Sequence, residues 1–337
     1  GPFKISYGFL SACDRFAEFA SAFTSPDFSS GMLQRCALLA IETVAVALLG
    51  VAIGLVLAYP LAIAACRAIV ISIGPSPQWP RWLARAVLES ARFILDVLRG
   101  VPDFVWALLL ANITGVNPVT GVLAIAISVA GIFGKVLSEH WDSLDGGRYA
   151  ALRSTGASAL QVFLYGLQPL GIRTAISFVL MRTECAIRNA SVIGVVAGGG
   201  LGAGLWDEYI DRNWSGVVTV LLTLLLVTAS ADLLANLVRR RLRDDANPSS
   251  TPRVLALKRA TKRRLQVAGG ITAVLLGALF WLREPLVRTW QEVAGIDWPY
   301  VQQYTLGLFV PSWSMDTWWQ VLCGATVPIA IGVLATV

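Results

Sequence analysis

The chain has 337 residues, of which 56% are hydrophobic and only 14% are charged. Soluble domains carry about 25% charged residues, so this depletion argues against an ordinary soluble globular protein. The net charge is +6, but the Lys and Arg residues cluster between apolar segments and do not cover one face of a domain. That distribution argues against nucleic-acid binding and is typical of cytoplasmic loops in membrane proteins.

Metal, disulfide and enzyme chemistry have little support in the sequence. The five cysteines are scattered without a CxxC pair, and His140 is the single histidine. Neither a zinc site nor a disulfide framework is predicted, and the cysteines are interpreted as small buried residues. A membrane enzyme would need several His, Asp or Glu residues at one depth, so no catalytic residue is expected.

The start of the chain predicts one span and one amphipathic helix. Residues 11–30 have mixed character and a break at Pro26, which predicts a short interfacial helix and a turn. Residues 38–66 form a first span, because about 20 apolar residues cross the hydrocarbon core. The stretch 74–80 is rich in Pro and Ser and predicts a loop. An amphipathic helix follows, expected to start along the cytoplasmic surface and then enter the membrane, with its arginines at Arg81, Arg85, Arg92 and Arg99.

Further spans alternate with polar segments up to residue 243. A second span follows Pro102, which would kink or restart the helix, and ends near Asn112. The third, fourth and fifth spans are predicted at 119–137, 170–196 and 217–238. Between the third and fourth spans, the polar stretch 139–160 predicts a partly helical cytoplasmic excursion. The Gly-rich run 198–204 follows the fourth span and favours close helix packing or an outer gate.

The last hundred residues change character twice. Residues 239–264 are rich in Arg, Lys, Pro and Ser and predict a cytoplasmic linker. A sixth span is predicted at 267–282, an aromatic outer segment at 290–319, and a seventh span from Trp318. When the spans alternate in direction, every strongly basic stretch falls on one side of the membrane. The sequence therefore predicts an all-α, multi-pass membrane protein with about seven spans.

The end of the chain resembles its beginning. Residues 23–28 recur in outline as 309–313, and residues 42–47 recur as 325–330. Internal repeats give many transporters two related halves. We therefore predict a first half at 1–243, a basic linker at 244–266, and the start of a second, truncated half at 267–337.

The cytoplasmic excursion carries the most informative motif. The segment 145–158, followed by Gln168 and Pro169, resembles the "EAA" coupling loop of type I ABC importers, although Tyr149 stands where its leading Glu is usual. Gly156 permits a sharp turn with backbone geometry that other residues avoid. The resemblance implies a loop at about 142–160 that docks on an ATPase, with contact residues Arg148, Ala151, Leu152, Arg153, Gly156, Ala157 and Ser158. An ordinary helix-turn-helix loop is the alternative.

Consecutive blocks of the chain resemble phosphonate importer permeases. They are the stretches 99–107, 131–135, 151–158 and 182–194, followed by the Gly-rich run. The resemblance covers most of the chain from 42 to 243. It implies the transmembrane domain of a type I (MetI-like) ABC importer in the cell inner (plasma) membrane, which moves phosphonates by alternating access.

The same resemblance implies the partners of the chain. They are a dimeric cytoplasmic ABC ATPase that holds the ATP and Mg, an extracytoplasmic phosphonate-binding protein, and a second permease half or second copy, all assembled around the lipid membrane. No cofactor is expected in the chain itself. The alternatives are a permease for another small solute, such as phosphate, another oxyanion or methionine, and a non-transport receptor or assembly factor.

Ionisable residues in the fourth predicted span are candidates for a substrate path. Charges at membrane depth are costly, so Arg182, Glu184 and Arg188 should pair with one another or line a water-filled path. Residues four apart share a helix face, which makes Glu184 and Arg188 a plausible pair. A structural ion pair is the alternative to a substrate role. The predicted path for an anionic phosphonate comprises Arg182, Glu184, Arg188, Asn189 and Ser191.

Overall fold

The computed structural model describes residues 20–73, 80–144, 147–244, 269–294, 298–309, 314–320, 323, 324 and 326. These residues are predominantly helical, and no strand occurs among them. The chain divides into a large unit, Gly1–Gln291, and a small unit, Glu292–Val337. The all-α prediction is confirmed.

The helices are numbered in chain order. They are α1 Ser30–Ala65, α2 Arg81–Gly100, α3 Asp103–Thr114, α4 Pro118–Asp142, α5 Gly147–Ser154, α6 Ala159–Val162, α7 Gln168–Ala197, α8 Gly200–Ile210, α9 Trp214–Asp244, α10 Gly269–Trp281, α11 Arg283–Ala294 and α12 Trp298–Phe309. Two π-helical segments, Ala68–Ile73 and Phe163–Leu167, follow α1 and α6.

Three helices are long and apolar enough to cross a membrane, namely α1, α4 and the Trp214–Arg240 part of α9. Two bent helix pairs meet the same test when each pair is taken as one span, which raises the number of candidate spans in the described residues to five. The pairs are Leu160–Ile172 with Thr174–Ala197, and Gly269–Trp281 with Arg283–Gln291. The predicted first, third, fourth, fifth and sixth spans therefore correspond to long or bent apolar helices.

The second predicted span is shorter than expected. Helix α3 has 12 residues, which gives it a length of about 18 Å against a hydrocarbon core of about 30 Å. Pro102 is the residue before its first turn, and Val101 ends α2 in an extended conformation. The break between the amphipathic helix α2 and the apolar helix α3 is therefore set by the proline.

Small residues allow the central helices to approach closely. A Cβ atom at Gly50 of α1 would lie 2.8 Å from Ile125, and one at Gly54 would lie 2.7 Å from Val129, both on α4. On the opposite side of α4, a Cβ at Gly131 would lie 2.6 Å from the backbone nitrogen of Arg99. Helix association in a membrane depends on such close packing, because lipid supplies no hydrophobic driving force between helices. Helix α4 is thus the centre of the large unit.

Several predicted segments lie outside the described residues. They are most of the interfacial helix before Ser29, the loop at 74–79, the linker from 245 onward and most of the seventh span. The division into two halves and a linker stays a prediction.

Candidate functional site: a polar path and a cytoplasmic loop

The cytoplasmic excursion folds as a helix, a sharp turn and a second helix. Helix α5 ends at Ser154, and Gly156 then adopts a φ of +80° with no atom within 4 Å of the position that a Cβ would occupy. Ser158 and Gln161 form a reciprocal capping box, in which the Gln161 side chain accepts from the Ser158 N–H at 2.8 Å and the Ser158 hydroxyl accepts from the Gln161 N–H at 3.4 Å. This arrangement fixes the start of α6.

An aromatic cluster of Tyr59, Trp141 and Phe163 supports this loop. The Trp141 and Phe163 ring centroids are 5.0 Å apart, and those of Tyr59 and Trp141 are 6.0 Å apart. Trp141 is 2% exposed and Phe163 is 3% exposed. The three rings come from α1, α4 and the π-helical segment, so this cluster connects the segment after α6 to two of the long apolar helices.

The predicted coupling residues differ in exposure. Ala151, Gly156 and Ser158 are exposed, whereas Leu152 and Ala157 are partly buried against the core. The side chains of Arg148 and Arg153 lie outside the described residues. Leu160 and Tyr165 add exposed apolar surface that the sequence analysis did not single out. The coupling role of these residues stays a prediction.

Arg182 of α7 faces α3 and α4. Its Nη2 atom donates to Ser128 Oγ at 2.9 Å and to Asp103 Oδ2 at 3.3 Å. Asn189, two turns further along α7, donates to the same Oδ2 at 2.7 Å, and Ser128 donates to Asp103 Oδ1 at 2.5 Å. We refer to Asp103, Ser128, Arg182 and Asn189 as the Asp103 cluster.

Glu184 and Arg188 face α9 instead. Glu184 accepts from Arg239 at 3.0 Å, and Arg188 lies 4.0 Å from Asp232. The two α7 residues share a face, as their spacing predicts, but the expected pair between them is replaced by two pairs across the helix interface. The reason is that α9 presents an opposite charge to each of them.

The charged and polar residues of α7 lie inside this helix and away from its ends. With a rise of about 1.5 Å per residue, Arg188 and Asn189 lie about 12–14 Å from the Ala197 end and Arg182 about 22 Å. The side chain of Arg188 is 58% exposed. Ser191 is buried and donates to the Arg188 carbonyl at 2.6 Å.

The Gly-rich run packs between α1 and the start of α4. Gly198 and Gly200 have φ values of +69° and +66°, and the backbone N–H of Leu201 donates to Thr43 Oγ1 at 2.8 Å. A Cβ at Gly199 would lie 2.8 Å from Pro118. Close packing, one of the two interpretations of this run, is therefore what the structure contains.

Asp142, the last residue of α4, connects three elements at this end of the helix. Its carboxylate accepts from Arg92 of α2 at 2.9 Å, from the Ala68 N–H at 2.9 Å and from the Cys66 thiol at 3.2 Å. Asp142 thus ties α2 and the segment after α1 to α4.

The sequence analysis missed Asp103, Asp232 and Arg239. A signal was present for the two carboxylates, since Asp103 and Asp232 are acidic residues within predicted apolar spans and such residues normally have a partner. Within the described residues, no group of three or more His, Cys, Asp or Glu side chains is placed to hold a metal ion.

Comparison with known proteins agrees with this architecture. Residues 78–244 match the family described as binding-protein-dependent transport system inner membrane component. The chain is 33% identical over 198 residues to the putative phosphite transport system permease protein HtxC of Stutzerimonas stutzeri, covering 59% of this chain and 66% of that protein. It is 30% identical over 210 residues to the phosphate-import permease protein PhnE of Mycolicibacterium smegmatis, covering 62% of this chain and 37% of that protein.

A shorter relative is covered almost completely. The chain is 30% identical over 118 residues to the putative cryptic phosphonate transport system permease protein PhnE2 of Escherichia coli K12, covering 35% of this chain and 97% of that protein. A solved structure of the MetNI methionine ABC transporter in an inward-facing conformation has a TM-score of 0.55 at 17% identity, covering 64% of this chain and 99% of that chain. A solved structure of an amino acid ABC transporter has a TM-score of 0.51 at 19% identity, covering 64% of this chain and 99% of that chain. These two structures show the fold.

The helical bundle and its relatives define a class of protein: the permease subunit of an ABC importer, a transporter component and not an enzyme. More particularly, the chain belongs to the binding-protein-dependent transport system inner membrane component family. The predicted resemblance to phosphonate importer permeases is confirmed by the identity to the phosphite and phosphonate permeases. The chain spans 66% of the phosphite relative and 37% of the phosphate-import relative.

Proposed function

We propose that the chain forms the membrane passage for phosphonates in an ATP-driven importer of the inner (plasma) membrane. The observation that carries this proposal is Arg188, a cation within a bent apolar helix pair long enough to span a membrane. Its side chain is 58% exposed although it lies 4.0 Å from Asp232. A charge on a membrane-spanning helix cannot face lipid cheaply, so Arg188 faces a water-filled path or another protein subunit. A guanidinium in such a path suits a phosphorus oxyanion, because it offers several donors to its oxygens.

The names of the relatives support the substrate class. Three of them are named for transport of phosphite, phosphate or phosphonate. Arg182 and Asn189 present further donors on a different face of the same helix, where they contact Asp103. Glu184 holds α9 beside Arg188 through Arg239. Phosphate and other oxyanions are the next candidates. Methionine is a third, since a methionine import permease of Bacillus subtilis is 21% identical to the chain.

The partners follow from the same mechanism. A dimeric cytoplasmic ATPase, which holds ATP and Mg, would bind the loop around Gly156, and an extracytoplasmic binding protein would deliver the phosphonate. A second permease half or a second copy would complete the passage. Closure of the ATPase would push the loop, and the aromatic cluster would pass this motion to α1 and α4, so that the halves rock about the path.

The proposal is tested by transport into vesicles. The permease would be reconstituted with its ATPase and binding protein, and uptake of methylphosphonate, phosphate and methionine would be measured separately. Arg188→Ala should abolish methylphosphonate uptake while the complex stays assembled. Arg85→Ala, which removes an exposed arginine on the cytoplasmic helix α2, is the matched control and should transport normally. Normal uptake by Arg188→Ala would contradict the proposal.

A further inference from the structure

The Asp103 cluster places a carboxylate where an anionic substrate would meet Arg182. Asp103 is the first residue of α3, at the break between α2 and α3. Discontinuous helices of transporters commonly end near the membrane midplane, where the positive end of the half-helix dipole favours an anion. In this protein that position is occupied by the chain's own carboxylate.

The donors around Asp103 are those that a phosphonate would use. Its two oxygens accept from the Ser128 hydroxyl, the Asn189 amide and the Arg182 guanidinium. Charged guanidinium and neutral N–H or O–H donors bind carboxylate and phosphorus oxyanions in the same way. The cluster is therefore built around an anion, and the charges of Asp103 and Arg182 balance.

Arg182 is only partly satisfied by this arrangement. It meets Asp103 through Nη2 alone, at 3.3 Å, and the same atom also serves Ser128. Its Nε atom is buried and has no hydrogen-bond partner among the described residues. The side chain itself is 15% exposed. Arg–carboxylate pairs are frequently bidentate, whereas here one atom makes both contacts, so this guanidinium retains donors for a second anion.

We propose that Asp103 is the resting counter-anion of Arg182, which the phosphonate displaces from the guanidinium as it passes. This role rests on the proposed function and adds Asp103 as a residue that sets the affinity of the path. Without the Asp103 carboxylate, the buried Arg182 guanidinium would retain the phosphonate. With the carboxylate present, the phosphonate binds weakly enough to be released, as passage through a pore requires.

The test measures binding and transport by the same complex. Methylphosphonate binding would be measured on the permease–ATPase complex in lipid nanodiscs without the binding protein, and uptake would be measured with the binding protein at saturation. Asp103→Asn keeps the shape but leaves Arg182 without its counter-charge. It should bind methylphosphonate about tenfold more tightly than the wild type, since removal of a neighbouring opposite charge has effects of this order, and its maximal uptake should fall.

Two further variants separate this role from a structural one. Ser138→Ala removes a hydroxyl of α4 that lies outside the Asp103 cluster and donates to the Lys135 carbonyl at 2.8 Å, so its affinity should equal that of the wild type. Asp103→Asn/Arg182→Gln removes both charges and should bind methylphosphonate at least about tenfold more weakly than the wild type. A structural defect would lower assembly and uptake but would not tighten binding. The double variant also remains informative if Asp103→Asn alone fails to assemble, because it contains no unpaired buried charge.

The outcomes distinguish the inference from the proposed function. Wild-type uptake of methylphosphonate with unchanged affinity in Asp103→Asn, or in the double variant, would overturn the role of Asp103 and leave the function intact. A wild-type complex that transports phosphate or methionine but no phosphonate would overturn the proposed function and this inference with it.

Discussion

The hydroxyl of Thr43, on α1, accepts a hydrogen bond from the backbone N–H of Leu201, in the first turn of α8, at 2.8 Å. These residues are 158 positions apart in the sequence, and both are 1% exposed. The first N–H groups of a helix have no partner within the helix. Helix α8 is thus capped by another helix, and this contact fixes the start of α8 against α1.

Replacing Thr43 by Val should destabilise the protein by about 1–3 kcal/mol, because it leaves the buried Leu201 N–H without an acceptor. Thr43→Ser keeps the hydroxyl and is the matched control. Thermal unfolding of the purified permease in detergent would measure the difference. Equal unfolding temperatures for Thr43→Val and Thr43→Ser would show that this hydrogen bond does not contribute.

Replacing Gly156 by Val should uncouple the transporter. A β-branched residue is strained at a φ of +80°, since the left-handed region costs an L-residue about 1–2 kcal/mol. The loop would therefore change shape, and ligand-stimulated ATP hydrolysis by the reconstituted complex should be lost while the permease remains folded. Gly31→Val is the control, because Gly31 lies in α1 with open space around it. Full stimulation of the Gly156→Val complex would contradict a coupling role for the loop.

Cys66 should react very slowly with maleimide in the folded protein, because its side chain is 0% exposed and its thiol donates to Asp142 Oδ1 at 3.2 Å. A variant that contains Cys66 alone should be labelled at least about 100-fold more slowly in the native permease than after denaturation in SDS, since buried cysteines are inert. Comparable labelling in the two conditions would contradict the buried arrangement.

The pair between Glu184 and Arg239 should behave as a unit. Glu184→Gln leaves Arg239 partly buried without its counter-charge, and should cost about 1–3 kcal/mol of stability. The double variant Glu184→Gln/Arg239→Gln removes the unpaired charge and should recover part of that loss. Unfolding measurements on the two single variants and the double variant give the coupling energy directly. Strict additivity would mean that the two side chains do not interact.

The long helices could be predicted from the sequence because their apolar length alone determines them. Helices α1, α4 and α9 appear as apolar runs, and the arginines of α2 recur at a helical spacing. The shortness of α3 was harder to predict, since it depends on whether Pro102 kinks the helix or ends it. The structure resolves this point in favour of a break.

The polar partners could not be paired from the sequence. Arg182 and Asp103 are 79 residues apart, and Glu184 and Arg239 are 55 apart, so their contacts depend on how the helices pack. Local spacing correctly placed Glu184 and Arg188 on one face, but it could not reveal that α9 carries the opposite charges. The Gly156 turn could be predicted because a left-handed residue leaves a local signature.

The most direct test of the account is ATP hydrolysis by the permease reconstituted with its ATPase and binding protein in lipid vesicles. Candidate ligands would be added one at a time. The account predicts that methylphosphonate stimulates hydrolysis and that methionine does not, and that Arg188→Ala abolishes the stimulation. Stimulation by methionine alone, or by no phosphorus oxyanion with the complex intact, would contradict the assignment of this path to phosphonates.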